Sequence, residues 1–161
     1  MKTELERLEI DASSMRFAIV VSRWNNGYTS RLEKGAREGL GAAAVETYVV
    51  PGAFELPLAA KAAAQTGYFD AVIALGVIIR GDTPHFDYVA GQAAAGIMQA
   101  SLETGIPVMF GVITADTPEQ AEARCGVRGD NKGYEAALSA VEMVAALKEI
   151  KGESKAVPHV V

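Results

Sequence analysis

The stretch AVIALGVIIRGDTPHFDY, residues 71 to 88, decides the fold of this chain. Its first half, Ala71–Ile79, is a continuous apolar run rich in β-branched residues, which is typical of a strand buried on both faces of a parallel sheet. A polar loop follows, and residues 86 to 103 then have the pattern of a helix. The loop therefore lies at the carboxyl end of a buried strand, where open parallel sheets bind ligands, and the helix start beside it favours an anion.

The residues of this loop are of types that can bind an anion and transfer a proton. Gly81 permits close approach to the backbone. Asp82 or Thr83 is expected to cap the helix, and the Thr83 hydroxyl can also donate to a phosphate oxygen. Pro84 restricts the backbone before His85, one of two histidines in the chain. An imidazole beside an anion is a natural general acid or base near neutral pH. The alternative is that His85 is an ordinary helix-start residue hydrogen-bonded to backbone.

Composition narrows the class of protein. The chain has 161 residues and a formal net charge of −5, with no basic cluster, which argues against nucleic acid and anionic membrane as partners. No apolar run approaches the ~18 residues of a membrane span, so the high apolar content is expected to serve subunit contacts. Cys125, the only cysteine, excludes an internal disulfide and a thiol metal cluster. The charged first ten residues lack a signal-peptide core, so we expect a cytoplasmic protein.

The rest of the chain repeats a strand followed by a helix and ends with one more helix. Strands are predicted at residues 16 to 22, 45 to 50, 71 to 79 and 106 to 114, and helices at 28 to 40, up to 65, 86 to 103, 117 to 125 and 134 to 150. This order predicts a single α/β domain with a mainly parallel four-stranded sheet and a core over residues 16 to 150. Leu8 and Ile10 alternate with charged residues, so the N-terminal arm, residues 1 to 14, has room for an additional edge strand, and residues 151 to 161 read as a tail.

Two further strand ends carry candidate binding residues. Trp24, the only tryptophan, follows the first strand within the polar group Arg23, Asn25 and Asn26. Its ring either packs in the core or is presented at the cleft, where it can stack on a planar heterocycle. Glu55 follows the second strand and either caps a helix start or accepts hydrogen bonds from ligand hydroxyls, two roles that are compatible. The small residues Gly52 and Ala53 would let a ligand lie against the backbone.

The last third of the chain offers candidates with open alternatives. Phe110 lies within the fourth strand, where a core position is favoured. Thr117 and Gln120 are expected to form a capping box around Pro118. Arg124 either pairs with a glutamate, the slightly favoured interpretation, or binds phosphate. Lys132 opposes the dipole of the last helix, which hints at a functional role, although a solvent-facing lysine is the simpler interpretation. No Walker loop, dinucleotide fingerprint or metal-ligand spacing is present, so no cofactor is expected.

Several of these segments occur together in a distinctive order. They are RWN at 23 to 25, PGAFELP at 51 to 57, GVIIRGDTPHFDY at 76 to 88, FGV at 110 to 112, and R-x-G at 124 to 126 followed by NKG at 131 to 133. In this order and spacing, over residues 16 to 150, the chain resembles the lumazine synthase family. The resemblance implies a flavodoxin-like three-layer α/β/α sandwich. It also implies a cofactor-free condensation of 5-amino-6-(D-ribitylamino)uracil with 3,4-dihydroxy-2-butanone 4-phosphate, the penultimate step of riboflavin biosynthesis.

The resemblance also implies roles for individual residues. His85 would be the proton donor. The ribitylaminouracil would be bound by Trp24, Ala53, Phe54, Glu55, Val77, Ile78, Ile79, Phe110 and Lys132, with Phe110 reaching the site from the adjacent subunit. The butanone phosphate would be bound by Asp82, through its backbone N–H, by Thr83 and by Arg124. The family forms pentamers with sites between neighbours, some members form sixty-subunit icosahedral shells, and association with riboflavin synthase is a further expectation. The short turn at 126 to 131 resembles that of shell-forming members.

Three alternatives remain open at this point. A flavin-binding relative without synthase activity would use Trp24 and Glu55 equally well, but it has no evident need for both His85 and Arg124. A structural shell protein would need only the outer faces of the fold, so the intact set of pocket residues argues against this alternative. A phosphate binder of similar fold rests on analogy of fold alone.

Overall fold

The computed structural model describes residues 9 to 153 and shows an all-parallel, four-stranded sheet in the order β2-β1-β3-β4. The strands are β1 (Arg16–Ser22), β2 (Ala44–Val50), β3 (Ala71–Ile79) and β4 (Val108–Ala115). The helices are α1 (Asn26–Leu40), α2 (Leu56–Gln65), α3 (His85–Thr104), α4 (Pro118–Ala123) and α5 (Lys132–Ile150), with single 3₁₀ turns at Ala53–Glu55 and Arg128–Asp130. Helices cover both faces of the sheet, so the predicted three-layer α/β fold is confirmed.

The central strand β3 explains why the sequence pattern was so clear. It pairs with β1 on one side and with β4 on the other, and eight of its nine residues are buried. Alternate side chains enter two separate cores: Ile73, Leu75 and Val77 face α1, α4 and α5, whereas Val72 and Ala74 face α2 and α3. A strand with both faces covered has no polar face, and its sequence therefore reads as a continuous apolar run.

Two of the predicted helix caps differ in detail from the structure. The Thr117 side chain accepts a hydrogen bond from the Gln120 N–H, as predicted. The Gln120 side chain, however, accepts from the N–H of Asp116 and not from that of Thr117. The predicted cap of α3 by Asp82 is wrong, because Pro84 occupies the N-cap position and offers no side-chain hydrogen bond. Thr83 is not the N-cap residue either; its Oγ1 accepts a long hydrogen bond, 3.4 Å, from the His85 N–H.

The helix pair α1 and α5 is held close by two glycines. A side chain at Gly133 would collide with the backbone of Leu32, and one at Gly35 would collide with the Asn131 side chain. Because α5 can approach α1 only where both side chains are absent, these contacts fix the point at which α5 begins. That point carries Lys132, one of the predicted site residues.

The predicted N-terminal edge strand lies partly outside the described residues, since Leu8 belongs to the segment that precedes them. Residues 9 to 12, which the structure does describe, form no strand. Among residues 9 to 153, every helix is too short or too polar to span a lipid bilayer.

Candidate active site

The loops after β1 and β2 are joined at the carboxyl edge of the sheet. The backbone N–H of Arg23 donates to the Val50 carbonyl at 2.7 Å, and that of Trp24 donates to the Pro51 carbonyl at 3.0 Å. Trp24 is 60% exposed, so the interpretation as a core residue is wrong and the ring is open to solvent at the carboxyl edge of the sheet. A Cβ at Gly52 would lie 2.5 Å from Trp24 Cε3, so the small residue at position 52 accommodates this ring.

Asn25 ties the Trp24 loop to the central strand, a role that sequence reasoning missed. Its side-chain Nδ2 donates to the Val77 carbonyl at 2.9 Å. Its backbone is left-handed, with φ of 64°, which Asn tolerates better than most residues. An asparagine between a strand and a helix start was the available signal, but the partner on β3 could not be read from the sequence.

Glu55 ends the 3₁₀ turn that leads into α2. Its Oε2 accepts a hydrogen bond from the Gly52 N–H at 3.0 Å, which confirms the capping interpretation. Within residues 9 to 153 its other carboxylate oxygen, Oε1, has no hydrogen-bond partner and is available to a ligand hydroxyl. The neighbouring Phe54 is 58% exposed, so an aromatic ring and a carboxylate lie next to each other at this edge of the sheet.

The remaining residues of this edge contribute backbone and not side chains. Ala53, Val77 and Ile78 are all buried, and their side chains belong to the two cores. The methyl group of Ala53 faces the core near Gly76, which is compatible with the expectation that a ligand lies against the backbone of Gly52 and Ala53; that expectation stays a prediction. Ile79 is half-buried at the end of β3. A ligand at this edge would meet the carbonyl and N–H groups of these residues.

The loop between β3 and α3 is open to solvent. Asp82, Thr83 and His85 are exposed, and a Cβ at Gly81 would meet no other atom within 4 Å. His85 is the first residue of α3, and its imidazole makes no hydrogen bond within the described part of the chain. The side chain is therefore free to meet a ligand, and only its backbone N–H has the local contact of a helix-start residue.

Arg80, which sequence reasoning did not single out, lies beside this loop. Its Nε donates to Asp116 Oδ1 at 2.8 Å, and its Nη1 lies 3.3 Å from Asp87 Oδ1. Its guanidinium carbon is 4.3 Å from the centroid of the Phe86 ring. The hydrogen bond to Asp116 raises the pKa of the Arg80 guanidinium further above its already high value, so the group stays charged.

A cleft of about 1000 Å³ opens along the free edge of β4. Its walls include three predicted site residues, Phe110, Arg124 and Lys132, together with Thr114 and Glu135. Phe110 is 37% exposed in this cleft, so the favoured interpretation as a core residue is wrong. The Phe110 ring is uncovered because β4 is an edge strand: in the described part of the chain no further strand pairs with its free side.

The two cations that line this cleft, Arg124 and Lys132, are held by hydrogen bonds to backbone groups. Arg124 Nη1 donates to the Gln120 carbonyl at 2.9 Å. The favoured ion pair is wrong, because Arg124 makes no salt bridge to a carboxylate among residues 9 to 153. Lys132 Nζ lies 3.5 Å from Glu135 Oε1 and is half-buried, not simply solvent-facing. The Lys132 N–H donates to the Arg124 carbonyl at 2.8 Å, so the two residues are held together.

A buried amide supports this turn. Asn131, 3% exposed, accepts from the Tyr134 N–H and caps α5. Its Nδ2 donates to the carbonyls of Gly126 at 3.0 Å and Arg31 at 3.1 Å. The Arg31 side chain in turn forms a two-pronged ion pair with Glu122, with Nη1 to Oε1 at 2.6 Å, which lowers the pKa of that carboxyl. The turn that carries Arg124 is thus fastened to α1 at two points.

The structure therefore divides the predicted site residues into two groups. The carboxyl-edge group surrounds the ends of β1, β2 and β3 and contains Trp24, Ala53, Phe54, Glu55, Val77, Ile78, Ile79, Asp82, Thr83 and His85. The β4-edge group contains Phe110, Arg124 and Lys132. None of the carboxyl-edge residues lines the cleft at β4 in the described part of the chain, so one chain does not join the two groups in one pocket.

Comparison with known proteins gives a consistent result. Residues 14 to 148 match the profile of the family described as 6,7-dimethyl-8-ribityllumazine synthase. The chain is similar to the 6,7-dimethyl-8-ribityllumazine synthase of Syntrophus aciditrophicus (strain SB), with 51% identity over 144 residues that cover 86% of this chain and 94% of the relative. It is also similar to that of Chlorobium luteolum (strain DSM 273 / BCRC 81028 / 2530), with 52% identity over 140 residues, 84% of this chain and 90% of the relative. The chain belongs to the 6,7-dimethyl-8-ribityllumazine synthase family.

Proposed function

We propose that this chain condenses 5-amino-6-(D-ribitylamino)uracil with 3,4-dihydroxy-2-butanone 4-phosphate to give 6,7-dimethyl-8-ribityllumazine, with release of phosphate and water. The family match over residues 14 to 148 carries this proposal. One edge of the sheet carries an exposed aromatic ring, a carboxylate with one oxygen unbonded and an imidazole that has no hydrogen-bond partner among residues 9 to 153, and this placement supports the proposal. Parallel sheets place ligands at this edge.

In this proposal the pyrimidine substrate lies at the carboxyl-edge group. The exposed Trp24 ring stacks on the planar heterocycle. Oε1 of Glu55 accepts a hydrogen bond from a ribityl hydroxyl, while Oε2 remains on the Gly52 N–H. The backbone of β3 at Val77, Ile78 and Ile79 reads the polar edge of the ring, because the buried side chains of Val77 and Ile78 leave only carbonyl and N–H groups there.

The phosphate of the second substrate lies at the loop before α3. Backbone N–H groups near Asp82, the Thr83 hydroxyl and the positive end of the α3 dipole favour an anion there. The Asp82 carboxylate turns away. Arg124 supplies a bidentate cation from the β4-edge group, and it is available because no carboxylate in the described part of the chain pairs with it.

His85 carries the proton transfers of the reaction. The primary amine of the pyrimidine attacks the ketone and water leaves, which gives an imine. Loss of a proton then allows elimination of phosphate, and the ribityl-bearing amine closes the ring with loss of a second water. Each step moves a proton to or from an oxygen, nitrogen or carbon atom of the substrate. A positioned imidazole accelerates such steps by roughly 10²–10⁴-fold, and holding two substrates together supplies the larger part of the rate.

The complete site is proposed to form between two copies of the chain. The support is the separation of the two groups within one chain, together with apolar side chains exposed on the outer face of α2 and α3, among them Leu58 at 78% and Leu102 at 76%. Ring-like assembly, as in a pentamer, would place the β4-edge group of one copy against the carboxyl-edge group of its neighbour. Shell formation, association with riboflavin synthase and a cytoplasmic location remain predictions.

Mixing the purified protein with both substrates tests the proposal. A chelator is present, and product formation is followed by the absorbance and fluorescence of the lumazine against the uncatalysed background. We expect product well above background. Tight binding of the ribityl compound or of riboflavin without turnover would favour the flavin-binding alternative. If the protein showed no turnover and bound neither compound, the structural shell alternative would remain.

A further inference from the structure

The loop that presents His85 has few ties of its own. Residues 81 to 84 are all exposed, and Pro84 cannot cap α3 with its side chain. The hydrogen bonds at the start of α3 are local, from the His85 N–H to Thr83 Oγ1 at 3.4 Å and from the Asp87 N–H to the Pro84 carbonyl at 3.0 Å. Neither connects the first turn of α3 to the sheet. Phe86 and Val89 pack against the core that α2 and α3 share with the sheet, and a side chain at the sheet edge adds a polar contact to this turn.

The side chain of Arg80 provides that connection across the loop. Its own backbone is tied to the sheet, because the Arg80 N–H donates to the Ala115 carbonyl at 2.8 Å. From there the guanidinium lies over the Phe86 ring and approaches the Asp87 carboxylate, so it contacts the two residues that follow His85. The edge of the sheet and the first turn of α3 are thereby joined directly.

The other side of the guanidinium also has a partner. Nε donates to Asp116 Oδ1 at 2.8 Å, and the backbone N–H of Asp116 donates to the Gln120 side chain at 2.8 Å. Two carboxylates thus face one guanidinium and neutralise its charge, which makes Arg80 a poor ligand for a substrate phosphate. A lysine could not reproduce the arrangement, since only the planar fork can donate to one carboxylate, approach the other and lie flat on a ring.

We infer that Arg80 is a positioning residue: its contacts with Asp116, Phe86 and Asp87 hold the first turn of α3 so that His85 is aimed at the reacting atoms. The inference rests on the proposed function, because it gives Arg80 its effect through proton transfer by His85. Arg80 does not touch the substrates in this account. Its removal should therefore slow the chemistry and leave substrate binding intact.

Steady-state kinetics of Arg80→Ala tests the inference. A small displacement of a catalytic group is costly, so we expect kcat to fall about tenfold while KM for both substrates changes less than about twofold. Arg80→Lys should recover part of kcat, because it keeps one ionic contact but loses the fork and the stacking. Arg37→Ala is the matched control, since Arg37 lies on α1 and pairs with Glu33 at 3.6 Å. Its kcat should equal that of the wild type.

A double-mutant cycle with His85→Ala separates positioning from general damage. If Arg80 acts only through His85, the variant R80A/H85A is no slower than H85A, because there is no imidazole left to aim. Should R80A fold poorly, the exposed pair is weakened instead by Asp87→Asn, for which we expect a roughly threefold loss of kcat that also disappears in the H85A background.

Two results would overturn the inference while the proposed function stands. One is an equal fold-loss from R80A in the wild-type and H85A backgrounds, which indicates a structural role unrelated to His85. The other is a raised KM for the butanone phosphate with unchanged kcat, which indicates a phosphate ligand. An inactive wild type would instead overturn the proposed function, and the inference with it.

Discussion

The positions of the two groups of candidate site residues are determined by different structural features. The carboxyl-edge group follows from the parallel sheet, because the ends of β1, β2 and β3 must lie side by side. Backbone hydrogen bonds join the loops after β1 and β2, and the Asn25 side chain ties the first of them to β3. In the β4-edge group, Phe110 lies on the edge strand, whereas Arg124 and Lys132 depend on one turn and one helix start, held by the buried side chain of Asn131 and by the absence of side chains at Gly35 and Gly133. Topology thus fixes the first group, and side-chain detail fixes the two cations of the second.

This contrast predicts different responses to mutation. Side chains of the carboxyl-edge group, such as Trp24 and His85, are exposed and contribute little to the core, so their removal should alter binding or turnover and not stability. The β4-edge group depends on a buried hydrogen-bond network, so damage to that network should alter both stability and the placement of Arg124.

The largest effect is expected for His85→Ala. Loss of general acid–base catalysis should lower kcat by about 10²–10⁴-fold, with residual turnover because both substrates are still held together. The midpoint of unfolding should not change, since the imidazole is exposed and makes no hydrogen bond within residues 9 to 153. Steady-state kinetics and denaturant unfolding check both parts. A variant that binds both substrates but has no measurable turnover would show that proton transfer by His85, and not the holding of two substrates together, supplies most of the rate.

Asn131→Ala should damage the β4-edge group through stability. The change removes the cap of α5 and the donor to the Gly126 and Arg31 carbonyls, so we expect a loss of about 2–3 kcal/mol in the free energy of unfolding. The matched control is Thr117→Ala, which removes the exposed cap of α4 and should cost about 1 kcal/mol or less. KM for the butanone phosphate should also rise. Equal costs for the two variants would contradict the proposed role of the buried network.

Trp24→Ala should act in the opposite manner, on binding alone. The ring is 60% exposed, so its removal should change the free energy of unfolding by less than about 0.5 kcal/mol. Loss of stacking should raise KM for the pyrimidine substrate about tenfold, and Trp24→Phe should retain most of the affinity. Substrate titration together with unfolding measures both quantities. A large loss of stability with unchanged KM would show that the Trp24 ring stabilises the fold and does not bind the substrate.

The sequence was a good guide to the fold because local and global signals agree there. The apolar run of β3 needs both faces covered, and Thr117 followed by Pro118 marks a helix start by local chemistry alone. The carboxyl-edge group could be anticipated from the same topology. For Trp24 a core position was the usual expectation, and its polar neighbours argued for exposure, which left the two interpretations about equal.

The rest required contacts between residues distant in the chain. The Asn131 side chain bonds to the Arg31 carbonyl, and Asn25 bonds to Val77, and neither partner is visible in a local pattern. The residue pattern alone favoured a core position for Phe110 and an ion pair for Arg124, and only the resemblance gave them a role in substrate binding. In the structure both line the cleft beside the edge strand β4. Arg80 was passed over because its partners, Asp87 and Asp116, lie on two different elements.

The most direct test of a site shared between copies is complementation in mixed assemblies. His85→Ala and Arg124→Ala proteins are dissociated in mild denaturant, mixed in equal amounts and reassembled. If neighbours supply the two groups, random mixing restores both intact groups in about a quarter of the sites, and activity should recover to about a quarter of that of the wild type. The control mixture of His85→Ala with Trp24→Ala, two changes within the carboxyl-edge group, should give no more activity than the average of the two variants measured separately. No recovery from the first mixture would contradict the account and place both groups of each site in one chain.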